Sequence, residues 1–175
     1  YNALGITLKA VGKLKEAEVS FRKAISLSPN FHVPHINLGN TLLELGRAAD
    51  AVKCFQQAIN LKPDFAETHF NLANTLQVLG KLIEAKASYE QAISLNPEHF
   101  VAHNNLGFTL AILGKSEEAE SHYKRAITLN RDYSEAHVNV GNLYYAMQKL
   151  KEAEKNYRKA IEIKPDYAEP YLNLC

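Results

Sequence analysis

The tetrapeptide Asn37-Leu38-Gly39-Asn40 returns along the chain at intervals of 34 residues. The later copies are Asn71-Leu72-Ala73-Asn74, Asn105-Leu106-Gly107-Phe108 and Asn139-Val140-Gly141-Asn142. A weaker copy, Ala3-Leu4-Gly5-Ile6, precedes the series, and a shortened one, Asn173-Leu174-Cys175, follows it. A period of about 20 to 50 residues is the mark of a repeat architecture. The 175 residues are therefore a series of similar units rather than one ordinary globular domain.

Each unit is predicted to contain two amphipathic helices, as the unit from His32 to Phe65 illustrates. Apolar and small residues at helical spacing predict a first helix through Ile36, Leu38, Gly39, Leu42 and Leu45. Gly46 suits the left-handed conformation that ends a helix. A second helix is predicted through Ala51, Phe55, Ala58, Ile59 and Leu61. Pro63 stops it, and we expect Asp64 to cap the next helix.

The other units fill these positions alike. The turn glycine recurs as Gly12, Gly80 and Gly114, and the large ring as Phe21, Tyr89, Tyr123 and Tyr157. Two alanine columns and a proline column accompany them. This set of residues resembles the tetratricopeptide repeat (TPR) family. The resemblance implies an all-α fold, a right-handed α-solenoid of stacked antiparallel helix pairs, with first helices lining a concave face. Packing independently favours a stacked array, because one helix pair cannot bury its apolar stripe alone.

We predict a single array over residues 1–175, with a partial repeat at 1–31 and the start of a sixth at 168–175. The four full repeats span 32–65, 66–99, 100–133 and 134–167. Because the chain begins at Tyr1 and its last repeat is cut short, we expect it to be a fragment of a longer protein. No terminal helix has a polar outer face of the kind that caps a solenoid. End-to-end self-association through the terminal repeats is therefore one hypothesis.

Two departures from the pattern lie in or beside the fifth repeat. Gln148 stands at the glycine position, so it must adopt a left-handed conformation or the turn must change shape. Arg131, just before the fifth repeat, stands at the proline position, which could let the preceding helix run on. We predict that this junction is the loosest in the array, and that its amides exchange hydrogen fastest.

Composition argues against several classes of function. The net charge of +1 gives no electrostatic case for nucleic acid or a membrane surface as partner. The two cysteines, Cys54 and Cys175, lack the spacing of a zinc site, and Cys54 is predicted to be exposed. No catalytic motif is present, so we predict no enzyme activity and no cofactor. Cytoplasmic location is the default interpretation.

Histidines also recur at the repeat interval, as His35, His69, His103 and His137. Equivalent residues of stacked repeats lie about 10 Å apart, whereas zinc ligands lie about 2.1 Å from the metal. We therefore interpret this column as structural packing.

The asparagines suggest a use, because Asn is a mediocre helix former. The first column consists of Asn37, Asn71, Asn105 and Asn139, and Asn173 opens the next repeat. The second, three residues on and on the same helix face, consists of Asn40, Asn74 and Asn142. Around them we expect Phe70, Asn104, Phe108, Gln77 and Tyr145. Carboxamides carry donors and acceptors that suit a peptide backbone. The alternative is that the first column orders the stack by bonding to a neighbouring repeat.

Chaperone-binding TPR domains resemble this chain in asparagine placement but use Lys and Arg to clamp a terminal carboxylate. The matching positions here hold no cation: Asn2, Ile36, Phe70, Val33, Glu67, Val101 and Asn105. A face lined with asparagines is more similar to the repeat arm of the O-linked N-acetylglucosamine transferases. The leading hypothesis is a non-catalytic scaffold that binds a protein or extended peptide through its asparagines. The alternatives are the substrate-recruiting arm of a larger glycosyltransferase-like enzyme and a self-assembling module.

Overall fold

A computed structural model describes residues 1–166 of the chain. In this described part all regular structure is helical, and ten helices follow one another. They are α1 (Asn2–Ala10), α2 (Leu14–Leu27), α3 (His32–Glu44), α4 (Ala48–Leu61), α5 (Ala66–Val78), α6 (Leu82–Leu95), α7 (Phe100–Ile112), α8 (Ser116–Leu129), α9 (Ser134–Ala146) and α10 (Leu150–Ile163). Asn173 and the start of the sixth repeat lie outside the described residues.

The chain divides into two compact units, Tyr1–Leu95 and Asn96–Cys175. In the first unit α1 packs on α2, α3 on α4 and α5 on α6, while α2 also contacts α3 and α4 contacts α5. In the second unit α7 packs on α8 and α9 on α10, and α8 contacts α9. Three-residue turns join the two helices of each pair, so the paired helices run antiparallel.

One large ring from each second helix fills the space beneath its first helix. The rings are all at most 2% exposed: Phe21, Phe55, Tyr89, Tyr123 and Tyr157. A Cβ at Gly39 would lie 2.7 Å from the Phe55 ring, and one at Gly141 would lie 2.4 Å from the Tyr157 ring. The small residue of the repeated tetrapeptide is therefore explained by close packing of the two helices.

Left-handed residues end the first helices, and Gln148 joins the four glycines in this conformation. Its φ is 61°, against 76° for Gly114 at the same position of the preceding repeat. The backbone bond that closes the turn is kept, since Lys149 N donates to Tyr144 O at 2.9 Å, as Lys115 N does to Leu110 O. Of the two conformations predicted for Gln148, the left-handed one is confirmed.

Replacing Gln148 by Gly should raise the free energy of unfolding by about 1 kcal/mol. A left-handed non-glycine residue costs roughly 1–2 kcal/mol, and the extra freedom of Gly in the unfolded chain offsets part of the gain. Urea denaturation measures the change. The reciprocal control is Gly114→Gln, which should be destabilising through the backbone alone, because nothing lies within 4 Å of a Cβ there. A Gln148→Gly variant no more stable than the parent would contradict the assignment.

Two local predictions are wrong. Phe65, not Asp64, holds the N-cap position of α5, and no side chain bonds to the first turn there. Arg131 does not prolong α8, which ends at Leu129, one repeat after the end of α6 at Leu95. The helix ends at the same repeat position with Arg131 as with Pro97, so the proline is not needed to end it.

Candidate functional site

The predicted peptide contacts lie on the first helices α3, α5, α7 and α9, and we refer to their outward side as the first-helix face. In the first unit it contains Asn37, Asn40, Phe70, Asn71, Asn74 and Gln77, all half-buried. In the second unit Asn105, Asn139 and Asn142 are half-buried, while Phe108 is 43% and Tyr145 57% exposed. These side chains are accessible in part, as a binding surface requires.

The first asparagine column bonds between repeats wherever the preceding first helix offers a second asparagine. Asn37 Nδ2 donates to Asn2 Oδ1 at 3.0 Å, which links α3 to α1. Asn139 Nδ2 donates to Asn104 Oδ1 at 2.9 Å, which links α9 to α7. For Asn71 the residue at the position of Asn2 and Asn104 is Ile36. The Asn71 side chain makes no hydrogen bond to residues 1–166. The column therefore has a structural role in some repeats but not in all.

Two asparagines of the second column, Asn74 and Asn142, accept hydrogen bonds from buried tyrosine hydroxyls. Tyr89 Oη donates to Asn74 Oδ1 at 2.6 Å, and the same hydroxyl lies 2.5 Å from Gln77 Oε1. Tyr157 Oη donates to Asn142 Oδ1 at 2.8 Å. These amides thus hold the tyrosine hydroxyls beneath the face as well as facing outward. Sequence reasoning missed this pairing, although Asn and Tyr share a repeat at a fixed spacing of 15 residues.

Asn104 departs from its predicted place on the open face. It is 1% exposed, and its Nδ2 lies within hydrogen-bonding distance of Asn105 Oδ1, at 3.2 Å, and of Glu135 Oε1, at 3.4 Å. With Asn139 as donor to its oxygen, the amide is enclosed by α9 and its own helix. Asn104 is therefore an interior partner of the first column rather than a surface contact.

The histidine column ties each first helix to the turn before it. His69 Nε2 donates to the carbonyl of Pro63 at 2.8 Å, and His103 Nε2 donates to that of Pro97 at 3.1 Å. His103 Nδ1 also lies 3.1 Å from His122 Nδ1, with the two rings stacked. Within residues 1–166 no group of three or more His, Cys, Asp or Glu side chains is arranged to hold a metal ion.

We expect stability to fall as the pH drops from 7.5 to 5.5. Burial lowers the pKa of His35, His103 and His137, and Arg125 and His99 act in the same sense on His103. Because the folded-state pKa values lie below the unfolded value of about 6.5, the unfolded chain binds more protons in this window. The stabilisation that these neutral histidines contribute is fully present above their unfolded-state pKa, and it is lost as the pH falls towards their folded-state pKa.

Urea midpoints at pH 7.5, 6.5 and 5.5 test this expectation. The acidic groups with lowered pKa values, such as Glu18 and Asp50, respond below about pH 4.5 and leave the window to histidine. His103→Gln should flatten part of the slope. A midpoint that stays constant, or rises towards pH 5.5, contradicts the assignment.

Charge is concentrated away from the first-helix face. Helices α3, α5, α7 and α9 contain no Lys or Arg, and their acidic residues are Glu44, Glu67 and Glu135. The ion pairs include Glu18 with Arg22 and Arg47, the latter joining α2 to the start of α4. Burial acts to raise the pKa of Glu18, but the hydrogen bonds from both arginines outweigh it and keep that pKa low. A face without cations cannot clamp a carboxylate.

A cavity of about 250 Å³ opens in the second unit between α7 and α9, and we refer to it as the α7–α9 cavity. Its apolar walls include Phe108, Ile112 and Leu143, and its polar lining includes Tyr123 and Asn139. In the sequence, the feature that could have indicated this cavity is Phe108, which stands where the other full repeats have the second asparagine of the tetrapeptide.

Cys54 is half-buried rather than exposed as predicted. Burial raises the pKa of its thiol, which opposes a reactive thiolate.

No helix in the described part of the chain is both long and apolar enough to cross a membrane.

Short helix pairs with a ring beneath a small residue and repeat-to-repeat hydrogen bonds define an α-solenoid repeat protein. The chain belongs to the tetratricopeptide repeat family. The tetratricopeptide repeat models match residues 64–132 and 98–166, as well as 20–53 and 1–31, and a TPR repeat model matches residues 39–80. The predicted fold class and family are thereby confirmed. No curated protein sequence matches the chain.

Solved structures show the same fold at low sequence identity. The crystal structure of MamA has a TM-score of 0.89 at 23% identity and covers 97% of this chain and 99% of its own. YrrB, described as a TPR protein with an unusual peptide-binding site, has a TM-score of 0.85 at 22% identity, covering 99% and 90%. TTC0263 of Thermus thermophilus has a TM-score of 0.75 at 26% identity, covering 98% and 94%. These likenesses concern the fold.

Proposed function

We propose that this TPR scaffold is non-catalytic and holds an extended polypeptide segment along its first-helix face through its asparagines. The observation that carries the proposal is that, in each unit, half-buried amides lie on helices without Lys or Arg. Amides beside apolar rings, with few charges, suit a neutral peptide backbone better than a charged terminus. The TPR fold and the peptide-binding site named for YrrB support the proposal.

Repeat spacing also suits an extended ligand. Packed helices lie about 8–10 Å apart, and an extended chain advances about 3.3 Å per residue. Within one unit, successive first helices would therefore meet every third residue of a bound segment. One amide per repeat can then contact the backbone with little regard for the side chains between.

Individual amides differ in what they can still offer. Asn71 keeps its whole amide, since its side chain bonds to nothing in residues 1–166. Asn37 and Asn139 each use an N–H on a neighbouring repeat and retain the oxygen as acceptor. The proposal accordingly assigns Asn71 the strongest peptide contact, and Asn37 and Asn139 the role of acceptors for peptide N–H groups.

The test begins with capture of partners from the source cells by the immobilised protein, followed by mapping of the bound segment. The binding constant of that segment is then compared for the parent and for a double variant, Asn71→Ala with Asn105→Ala. We expect at least a tenfold loss of affinity from the double variant, while the single Asn71→Ala variant keeps the thermal midpoint of the parent. Asn60→Ala, on the exposed side of α4, is the matched control. Unchanged affinity in the double variant overturns the proposal.

Binding on this face should depend little on salt. Exposed charge pairs are screened over about 8–10 Å at physiological ionic strength, but helices α3, α5, α7 and α9 bring no Lys or Arg and few acids to the contact. We expect the dissociation constant of the mapped segment to change less than about threefold between 50 and 500 mM NaCl. Calorimetry at both concentrations measures it. A much steeper dependence would place the contact on the charged second helices instead.

A further inference from the structure

The α7–α9 cavity exists where the repeated tetrapeptide is broken. Phe108 stands at the position of the second asparagine, and its ring forms one wall of the cavity. Ile112, one turn further along α7, and Leu143 and Ala146 of α9 continue the apolar lining. Phe108 and Ile112 are 43% and 52% exposed, so the cavity is open to the first-helix face.

The same substitution removes the partner of a buried hydroxyl. In the neighbouring repeat Tyr157 Oη donates to Asn142, and Tyr89 in the first unit donates to Asn74. Tyr123 has Phe108 in place of that asparagine. It is 2% exposed, lines the cavity, and makes no side-chain hydrogen bond to the residues that the structure describes. Burial, with the charge of Glu135, raises the pKa of Tyr123, so the hydroxyl keeps its proton as a donor.

An acceptor lies in the same lining. Asn139 Nδ2 donates to Asn104, while its Oδ1 receives no hydrogen bond from residues 1–166. No Asp, Glu, Lys or Arg lines the cavity. Ser116 and Asn142 also line the cavity, and the Oδ1 of Asn142 accepts from Tyr157. The cavity therefore combines apolar walls with hydroxyl and amide groups, without charge.

We propose that the α7–α9 cavity binds one uncharged apolar side chain of an extended partner segment, whose own peptide groups bond to Tyr123 and Asn139. The backbone carbonyl accepts from Tyr123 Oη, and the backbone N–H donates to Asn139 Oδ1. This inference rests on the proposed function and adds a selective position to a face that otherwise contacts backbone.

The volume favours this occupant. About 250 Å³ corresponds to roughly eight water molecules at about 30 Å³ each, enough for a leucine or phenylalanine side chain. Small-molecule pockets measure about 300–1,000 Å³, so the cavity lies below their usual range. A charged side chain would lose hydration without gaining a partner here.

Blocked amino acids test the cavity without knowledge of the partner. N-acetyl-leucine methylamide supplies the apolar side chain, the carbonyl and the N–H, and the aspartate analogue is the matched probe. Amide chemical shifts of the whole chain report where each one binds. We expect the leucine probe to shift Phe108, Ile112, Asn139 and Leu143, with a dissociation constant on the order of 1 mM. The aspartate probe should bind at least about tenfold more weakly.

Two variants locate the contact. Phe108→Asn restores the tetrapeptide found in other repeats, gives Tyr123 its acceptor and removes a wall, so we expect about tenfold weaker binding of the leucine probe. Tyr123→Phe keeps the ring and removes the donor, and we expect about two- to tenfold weaker binding. Its urea midpoint should not change, whereas Tyr89→Phe, which loses the bonds to Asn74 and Gln77, should lower the midpoint.

Each outcome decides between the possibilities. Shifts confined to the cavity residues, and weakened by both variants, support the proposal. Equal binding of both probes, shifts elsewhere, no effect of Tyr123→Phe, or a dimer in sedimentation that occupies the cavity would overturn it. The proposed function fails separately, if Asn71→Ala with Asn105→Ala leaves the affinity of the mapped partner segment unchanged.

Discussion

Gly39→Ala should lower the free energy of unfolding by about 1–3 kcal/mol, the usual cost of overpacking a core. Alanine is the better helix former by about 1 kcal/mol, so propensity alone predicts the opposite sign. The steric effect wins because the new methyl would lie 2.7 Å from the Phe55 ring, which is fully buried and cannot swing into solvent. Urea denaturation followed by circular dichroism gives the difference.

The same substitution should reverse its sign when the ring is absent. Phe55→Ala alone should cost about 3–5 kcal/mol, because it leaves a cavity beneath α3. In that background Gly39→Ala meets open space, so its helix propensity and its added methyl should stabilise the protein by about 1 kcal/mol. A double-mutant cycle on the four proteins isolates the steric term.

Ala73 above Tyr89 provides a natural reference for this cycle, since that pair places a methyl over a large ring in the third repeat. Ala73→Gly should therefore be destabilising, as the packing there has adapted to the methyl. If Gly39→Ala stabilises the parent protein, the small residue of the tetrapeptide is not held by contact with the ring.

Residue identity at a fixed interval was enough to predict the helices and their packing. The small residue, the ring and the turn glycine each have one steric explanation. For Gln148 the sequence left two conformations open, and the structure has the left-handed one. The predictions that Asp64 caps α5 and that Arg131 lets α8 run on were wrong. Capping and proline preferences are weak beside tertiary packing.

The asparagines could be read only in part. Whether one bonds within the stack depends on the residue 35 positions earlier, which is Asn for Asn139 but Ile for Asn71. A repeat pattern records what is common to all units, whereas this bond depends on what differs between them. For the same reason the burial of Asn104 and the cavity beside Phe108 became visible only from contacts across helices.

The contrast between Asn139 and Asn71 gives the second large effect. Asn139→Ala should lower the free energy of unfolding by about 2 kcal/mol, because it removes the donor to Asn104 Oδ1 on an amide that is 1% exposed. A buried acceptor left unpaired costs about 1–3 kcal/mol. Local hydrogen exchange in α7 and α9 should increase together with the loss of global stability.

Asn71→Ala should leave stability within about 0.5 kcal/mol of the parent or raise it slightly, since alanine is the better helix former and no side-chain bond to residues 1–166 is lost. Its effect should instead fall on the affinity for the mapped partner segment. Both variants replace an asparagine at the same repeat position, on α5 and α9, each the first helix of its repeat. The comparison therefore cancels propensity and isolates the inter-repeat bond. If Asn71→Ala costs as much stability as Asn139→Ala, the column orders the stack in both repeats, and the surface role of Asn71 loses its basis.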